Sequence, residues 1–221
     1  MSMKKLSLSL ALLCLISNQV IAADAIVTEL SGTLSAVKAD GSSRLLSIKS
    51  EINTGETLST EKNSYARIRF ADGGLMTLRP NSAIKIDTFQ FEQAKPDKDS
   101  FLFSLIKGGF RTVTGLVSKR GNKAAYKMTS KTATIGIRGT NYGALICEAG
   151  TCEDLPDGLY IEVTEGAINA MNSAGSQNFN MGQFGYVAAP SVAPVLLTKD
   201  PGVPKSISDD VLLGASVKPD C

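Results

Sequence analysis

The chain has 221 residues, 43% of them hydrophobic and 20% charged, which is enough to build a domain with a buried core. Lysine and arginine number 23 against 21 aspartate and glutamate. Because Lys4 and Lys5 lie in a predicted export signal, the rest of the chain has balanced charge, which argues against nucleic-acid binding through phosphates. Histidine is absent, so the commonest general base and metal ligand is missing. We expect no metal site.

Residues 1–22 have the three parts of a secretory signal. Two lysines form a basic start, the apolar stretch Leu6–Ile16 follows, and small residues lead to Ala22, after which we expect cleavage. A lipoprotein signal ending at Cys14 is disfavoured, because Leu13 is too bulky for that cleavage site. The apolar stretch is shorter than the ~20 residues that span a bilayer. We therefore expect a periplasmic or secreted protein without stable membrane insertion.

Three cysteines remain after the predicted signal. Cys147 and Cys152 flank a turn-like segment that contains Gly150, and in an oxidising compartment this spacing predicts a disulfide. A metal site is disfavoured because there is no second close pair, and a redox motif of the thioredoxin type would have two intervening residues. Cys221 has no evident partner. It is a free thiol, a mixed disulfide or an interchain disulfide, and the sequence does not distinguish these.

Alternating apolar and polar residues predict an all-β domain. Ser64–Phe70 alternates, Asp72-Gly73-Gly74 makes a tight turn into Leu75–Arg79, and Ala83–Phe91 resumes the alternation after a second turn. Such close spacing of short strands is typical of all-β domains. Further strands are predicted at Gly32–Lys38, Arg44–Ile48, Phe101–Ile106, Ala125–Thr129, Ala133–Arg138, Tyr142–Ile146, Leu159–Val163, Ala167–Met171, Gln177–Met181 and Phe184–Ala188.

Helical periodicity is nearly absent. Only Val113–Lys119 and Ser208–Leu213 are candidates for short helices. Five of the eight prolines fall within residues 190–221, which are predicted to form an extended tail after a domain at 23–189. The apolar segment Val195–Leu197 favours docking of part of this tail on the domain.

A motif in the second half resembles a known family. Thr132–Thr140, with the sequence TATIGIRGT, resembles the signature of the FecR-type periplasmic domain. Other blocks resemble further parts of that domain and follow in the family's order between about Leu30 and Ala188. These blocks are Thr54–Glu56, Ser64–Gly73, Leu78–Ala83, Leu105–Gly109, Val163–Gly166 and Met181–Gln183.

The resemblance implies a sandwich-like or solenoid-like domain of short stacked strands, without enzymatic activity or cofactor. It also implies a protein partner in the cell envelope. In the namesake subgroup the domain receives a signal from an outer-membrane receptor and is joined by a membrane helix to a cytoplasmic sigma-factor regulator. This chain offers no such helix, so it looks like the stand-alone exported form. The signature residues, expected to be structural, are Thr134, Gly136, Arg138, Gly139 and Thr140.

Arg138 has two possible roles. It could be a structural arginine that donates to loop carbonyls or pairs with a carboxylate such as Asp72 or Glu165, which is the favoured interpretation. Alternatively, a groove containing Arg138 could bind an envelope ligand such as peptidoglycan or another glycan. Two loops, Glu92–Ser100 and Cys147–Asp157, are the candidate surfaces for the protein partner.

Enzymatic and carbohydrate-binding patterns are weak. Neighbouring acids such as Glu162 and Glu165, or adjacent Ser and Lys residues, lack the motif context of a catalytic pair. Tryptophan, which sugar-binding surfaces often use, is absent. Four phenylalanines alternate as core residues do, and we expect them in the core: Phe89, Phe91, Phe101 and Phe103.

Overall fold

The computed structural model describes residues 23–122, 124–152 and 155–201. The predicted signal with Ala22, the predicted helix Ser208–Leu213 and Cys221 lie outside these ranges. Within them the chain forms fifteen strands and two 3₁₀ turns, at Pro96–Lys98 and Leu116–Ser118. The predicted fold class, all-β with little helix, is confirmed.

Most strands are short, but three have 14 or 15 residues. In chain order the strands are β1 (Ala25–Ser31), β2 (Leu34–Val37), β3 (Ser43–Leu46), β4 (Glu51–Ile52), β5 (Thr57–Thr60), β6 (Tyr65–Phe70), β7 (Leu75–Leu78), β8 (Ala83–Gln90), β9 (Ser100–Val113), β10 (Tyr126–Thr129), β11 (Thr134–Cys147), β12 (Gly158–Asn172), β13 (Gly175–Asn180), β14 (Phe184–Val187) and β15 (Val195–Leu197).

All fifteen strands belong to one mixed sheet that folds over on itself. The first half of β9 pairs with β8 and β10, and its second half pairs with β7 and β11. β11 and β12 also change neighbours along their length, β11 from β10 to β9 and β12 from β14 to β13. Across the fold, Phe70 of β6 contacts Phe89 of β8 and Phe101 of β9, with ring centroids 5.5 and 4.6 Å apart. The three long strands therefore run through both layers.

In each long strand, the residues that face the core switch from odd-numbered to even-numbered positions where the strand passes between the layers. In β9, for example, the buried side chains are odd-numbered as far as Leu105 and even-numbered from Phe110. A bulge of one residue produces such a change, and it requires backbone angles that glycine adopts readily. A glycine with positive φ lies at each of these bulges: Gly108 (+67°), Gly139 (+59°) and Gly166 (+75°).

Hydrogen bonds hold the strands together at the layer crossing of β11 and β12, which we call the corner (residues 138–140 and 165–167). The Thr140 amide donates to Thr114 Oγ1 at 2.9 Å, and the Thr114 amide donates to the Thr140 carbonyl at 3.1 Å. Thr140 Oγ1 also donates to the Ala167 carbonyl at 2.8 Å. Gly166 lies directly against this turn, since a Cβ there would be 2.5 Å from the Gly139 carbonyl oxygen.

Aromatic rings fill the space between the layers. Phe89, Phe101 and Phe103 are buried, as predicted, and pack with Phe70, Phe110, Tyr126 and Tyr142. The fourth predicted core residue, Phe91, is only half-buried, and the centre of its ring lies 4.7 Å from the Arg120 guanidinium carbon. Fully burying an aromatic side chain stabilises a fold by about 2–3 kcal/mol, so this cluster dominates the core.

Several predicted element boundaries are wrong, for one physical reason. The segments predicted as separate strands at 133–138 and 142–146 are one strand, β11, and those at 159–163 and 167–171 are one strand, β12. The glycines between them form bulges, which bend a strand without ending it. The helix predicted at 113–119 is the end of β9 followed by a 3₁₀ turn. The alternation did not predict β1, β4 and β5, and β15 extends the sheet into the predicted tail.

Substituting alanine for Gly166 is expected to destabilise the fold more than the same change at Gly182. Both residues have positive φ, +75° and +80°, so both variants carry the strain of a left-handed alanine. Only at Gly166 does the new Cβ overlap another atom, whereas at Gly182 nothing lies within 4 Å. We expect Gly166→Ala to lose roughly 1–3 kcal/mol more than Gly182→Ala in urea unfolding. Equal losses would show that the corner is not closely packed.

Candidate functional site

Arg138 is exposed at the corner, and the predicted ion pair is wrong. It lies on the outer face by regular alternation from the buried Ile135 and Ile137, and no described residue forms an ion pair or side-chain hydrogen bond with it. Asp72 instead accepts hydrogen bonds from the amides of Gly74 and Val117, at 2.9 and 3.1 Å. Arg138 also lines neither of the two described clefts, so a ligand groove around it has no counterpart there.

Of the other signature residues, Gly139 and Thr140 lie in the corner, whereas Thr134 and Gly136 precede it in β11. Thr134 begins β11 and pairs with Thr129 and Met171. No backbone approaches Gly136 closely, since the nearest atom to a Cβ there would be the Asn169 carbonyl oxygen at 3.9 Å. Gly139 and Thr140 form the bulge and its hydrogen bonds. We infer that the signature supports the crossing of β11 between the layers.

A cleft of about 810 Å³ opens on the outer face of the sheet. One wall consists of Tyr65 and the turn at residues 79–81 that follows β7, and the opposite wall consists of Leu145 and Ile146 at the end of β11. Lys107 and Gly108 lie between these walls, and residues of the loop after β11 close one end. This volume is within the range of small-molecule and peptide sites.

Glycine forms the floor of the cleft. The Arg79 amide donates to the Gly109 carbonyl at 3.0 Å, and Gly109 pairs with Leu145, so these residues form one row across the sheet. A Cβ at Gly109 would lie 2.6 Å from the Ala144 carbonyl oxygen, and one at Gly108 would overlap the Ser82 hydroxyl. Neither glycine has room for a side chain, so the row has none between Arg79 and Leu145, and Gly108 lines the cleft there.

Arg79 brings a positive charge to the cleft without a carboxylate partner. Its Nη1 atom is buried and has no hydrogen-bond partner among the described residues. Burial lowers the pKa of the Arg79 guanidinium, while the neighbouring Tyr65 opposes that shift. A guanidinium stays protonated in a protein under all ordinary conditions, so a desolvated positive charge remains at this wall.

The other partly buried arginines all have carboxylate partners, which makes Arg79 an exception in the described chain. Their ion pairs have N–O distances of 2.8–3.1 Å and are Arg44–Glu56, Arg67–Glu29, Arg111–Glu162 and Arg120–Asp99. Pairing of this kind offsets the desolvation of a buried charge. Arg79 lacks that compensation from the described protein, so the cleft favours an anion.

A disulfide braces the closed end of the cleft. The predicted bond between Cys147 and Cys152 is present, with a Cα–Cα distance of 5.4 Å. It packs with Leu155, Tyr160 and their neighbours in a small apolar cluster on the outer face. Cys152 and Leu155 line the cleft, so the disulfide fixes part of its wall.

The other candidate loop, Glu92–Ser100, is fastened by Arg120. Its Nε lies 2.9 Å from an oxygen of Asp99, whose side chain is fully buried. Its two terminal nitrogens donate to the carbonyls of Gln93 and Glu92 at 3.0 and 2.9 Å. The loop is therefore held in one conformation and presents a defined surface.

No group of three histidine, cysteine, aspartate or glutamate side chains within ranges 23–122, 124–152 and 155–201 could hold a metal ion. Burial raises the pKa of Asp72, but this carboxylate braces a turn and lines neither cleft. No helix in the described part of the chain is long and apolar enough to cross a bilayer.

The sequence analysis did not predict the cleft, although it identified two segments that line it. Leu78–Ala83 and Leu105–Gly109 were identified only as motif blocks of a family. Their signals were an arginine at the end of a strand and a glycine pair inside another strand, which often marks a bulge. Nothing in the sequence showed that these two features meet, because Arg79 and Lys107 are 28 positions apart.

Replacing both Cys147 and Cys152 with serine is expected to reduce the free energy of unfolding by about 2 kcal/mol. The ring closed by this bond is small, so its removal frees only a modest amount of chain entropy in the unfolded state. The effect is measured by urea unfolding of the double variant and of the wild type, the wild type both with and without reductant. A loss near zero would contradict a bracing role for the bond.

Arg120→Ala is expected to lose about 3 kcal/mol, because it leaves the buried Asp99 carboxylate without its counter-charge. Lys85→Ala is the matched control, since Lys85 pairs with Asp87 but is 46% exposed, and such surface pairs contribute little. Hydrogen exchange should quicken at residues 92–99 only in Arg120→Ala. Equal stability of the two variants would contradict the fastening of this loop.

Comparison with known proteins supports the family resemblance. The family described as FecR protein matches residues 56–169, just over half of the chain. The fold is similar to two crystal structures of a proposed anti-sigma factor from Parabacteroides distasonis, with TM-scores of 0.48 and 0.49 and sequence identities of 9% and 11%. Each similarity covers 66% of this chain and 61% of the other, so this chain spans about three fifths of those solved chains. No curated protein matches the chain.

The region matched by the family contains the corner, the glycine floor of the cleft and Arg79. It also contains the TATIGIRGT motif at residues 132–140. Because the match extends over more than half of the sequence, the chain belongs to the FecR family.

Proposed function

We propose that this protein is an exported, non-enzymatic module of the cell envelope that presents a β surface to a protein partner in signal transduction. FecR proteins are a regulatory family, so membership supports a regulatory role at the coarse level.

One observation carries the proposal: the outer face has a cleft beside a disulfide-braced loop, and the described chain places no catalytic or metal-binding cluster there. The wall residues come from strand ends and turns that the core fixes in place. A rigid, partly polar concavity of this kind suits recognition of a partner segment.

The proposed compartment is the periplasm or the exterior. The disulfide between Cys147 and Cys152 is of the kind that persists in oxidising compartments. The predicted signal at 1–22, with cleavage after Ala22, supplies the export route. We also propose an interchain disulfide through Cys221, and electrophoresis of the crosslinked samples described next tests it.

The proposal is tested by crosslinking in the native cell. A photo-crosslinking amino acid is placed at Thr151, an exposed residue of the cleft wall, or at Ser176, an exposed residue of β13 far along the sheet. We expect one discrete crosslinked product from Thr151 in the envelope fraction and none from Ser176. Electrophoresis with and without reductant shows whether Cys221 also bridges chains.

Two outcomes contradict the proposal. The product could form equally from both positions, which would mean that the cleft face has no special role. Alternatively, the protein could remain in the cytoplasm with an uncleaved N-terminus, as N-terminal sequencing would show. In that case the envelope assignment is wrong.

A further inference from the structure

We propose that the cleft binds a single side-chain carboxylate within an acidic peptide segment of the partner, with Arg79 as its counter-charge. This inference rests on the proposed function, because it names the chemistry of the segment that the partner inserts.

The charge of the cleft argues for an anion. Arg79 Nη1 is buried without a hydrogen-bond partner in the described chain, whereas each other partly buried arginine there pairs with a carboxylate. The nearby Lys107 is exposed and adds a second positive charge to the lining, and it has no ion pair with a described residue. A carboxylate matches the planar donor geometry of a guanidinium and would balance the charge that no described carboxylate offsets.

The rim argues against a polyanion. Glu148 also lines the cleft, and its carboxylate lies 3.4 Å from Lys131 Nζ on the exposed side. The charged residues of the lining are Arg79, Lys107 and Glu148, which leaves one net positive charge that a single carboxylate balances and a phosphate exceeds. The electrostatics therefore favour one negative charge.

The walls argue for a peptide. Leu145, Ile146 and Leu155 give the cleft an apolar side opposite Arg79, and the glycine floor leaves room for an extended backbone. A volume of about 810 Å³ is much larger than one carboxylate needs. An acidic residue followed by apolar residues would fill both sides of the site.

The course of the last described strand favours a partner over this chain's own C-terminal segment. Val195 pairs with Tyr186, in the row that continues through Tyr160 to Leu145 at the cleft. Leu197 lies in a row of paired residues that is two positions further from the cleft along the strands. The chain therefore leaves β15 in the direction away from the cleft.

The test uses NMR spectra of the ¹⁵N-labelled protein titrated with two blocked peptides, acetyl-Leu-Asp-Leu-Leu-amide and its Asn analogue. We expect the Asp peptide to shift the Arg79 Nε–H signal and the amides of Gly108 and Gly109, and the Asn peptide to bind at least tenfold more weakly. Arg79→Gln should weaken binding of the Asp peptide at least tenfold, and Arg79→Lys should restore part of it. Arg138→Gln, which removes an exposed guanidinium outside the cleft, is the control and should change nothing.

A second variant keeps the test decisive if Arg79→Gln does not fold. Lys107→Gln changes an exposed side chain of the cleft and should weaken binding of the Asp peptide two- to threefold.

Equal binding of the two peptides would overturn the proposal, as would weaker binding of the Asp peptide in Arg138→Gln. If Asp209→Asn with Asp210→Asn shifts the Arg79 signal without added peptide, the occupant is this chain's own segment and the assignment to a partner is wrong. A crosslink from Thr151 that persists in Arg79→Gln would leave the proposed function standing while the carboxylate inference fails.

Discussion

The fold depends on how a large sheet covers its own apolar face. With almost no helix in the described chain, the aromatic residues of β6, β8, β9 and β10 can be buried only if the sheet folds over on itself. The three long strands make this possible because each continues from one layer into the other. The crossing reverses which residues face inward, so each strand needs a bulge, and each bulge uses a glycine with positive φ.

The cleft follows from the same constraint. At Gly108 and Gly109 the bulge of β9 removes two side chains from the outer row, and the neighbouring Arg79 and Leu145 become opposite walls. At Gly143 a similar gap is filled, because the Arg111 guanidinium reaches Glu162 at 3.1 Å. One gap on the outer face is thus closed by an ion pair, and the other stays open beside an unpaired cation.

The sequence predicted part of the site and misassigned part of it. Cys147 and Cys152 lie close in sequence, so their disulfide could be predicted from spacing and compartment alone. Alternation places Arg138 opposite Ile135 and Ile137, and the structure buries those two residues and exposes Arg138. Whether an exposed arginine finds a carboxylate depends on the loops around it, which alternation does not specify.

The sequence by itself determined the all-β class, the short strands with their tight turns, the disulfide and the family, because these depend on local periodicity, turn residues and short motifs. Only the tertiary structure decided which strands pair, where β9, β11 and β12 cross between layers, and that Arg79 lies across a glycine gap from Leu145. Those features join residues that are distant along the chain. Their contacts are set by the register of strand pairs and by core packing, which no local pattern specifies.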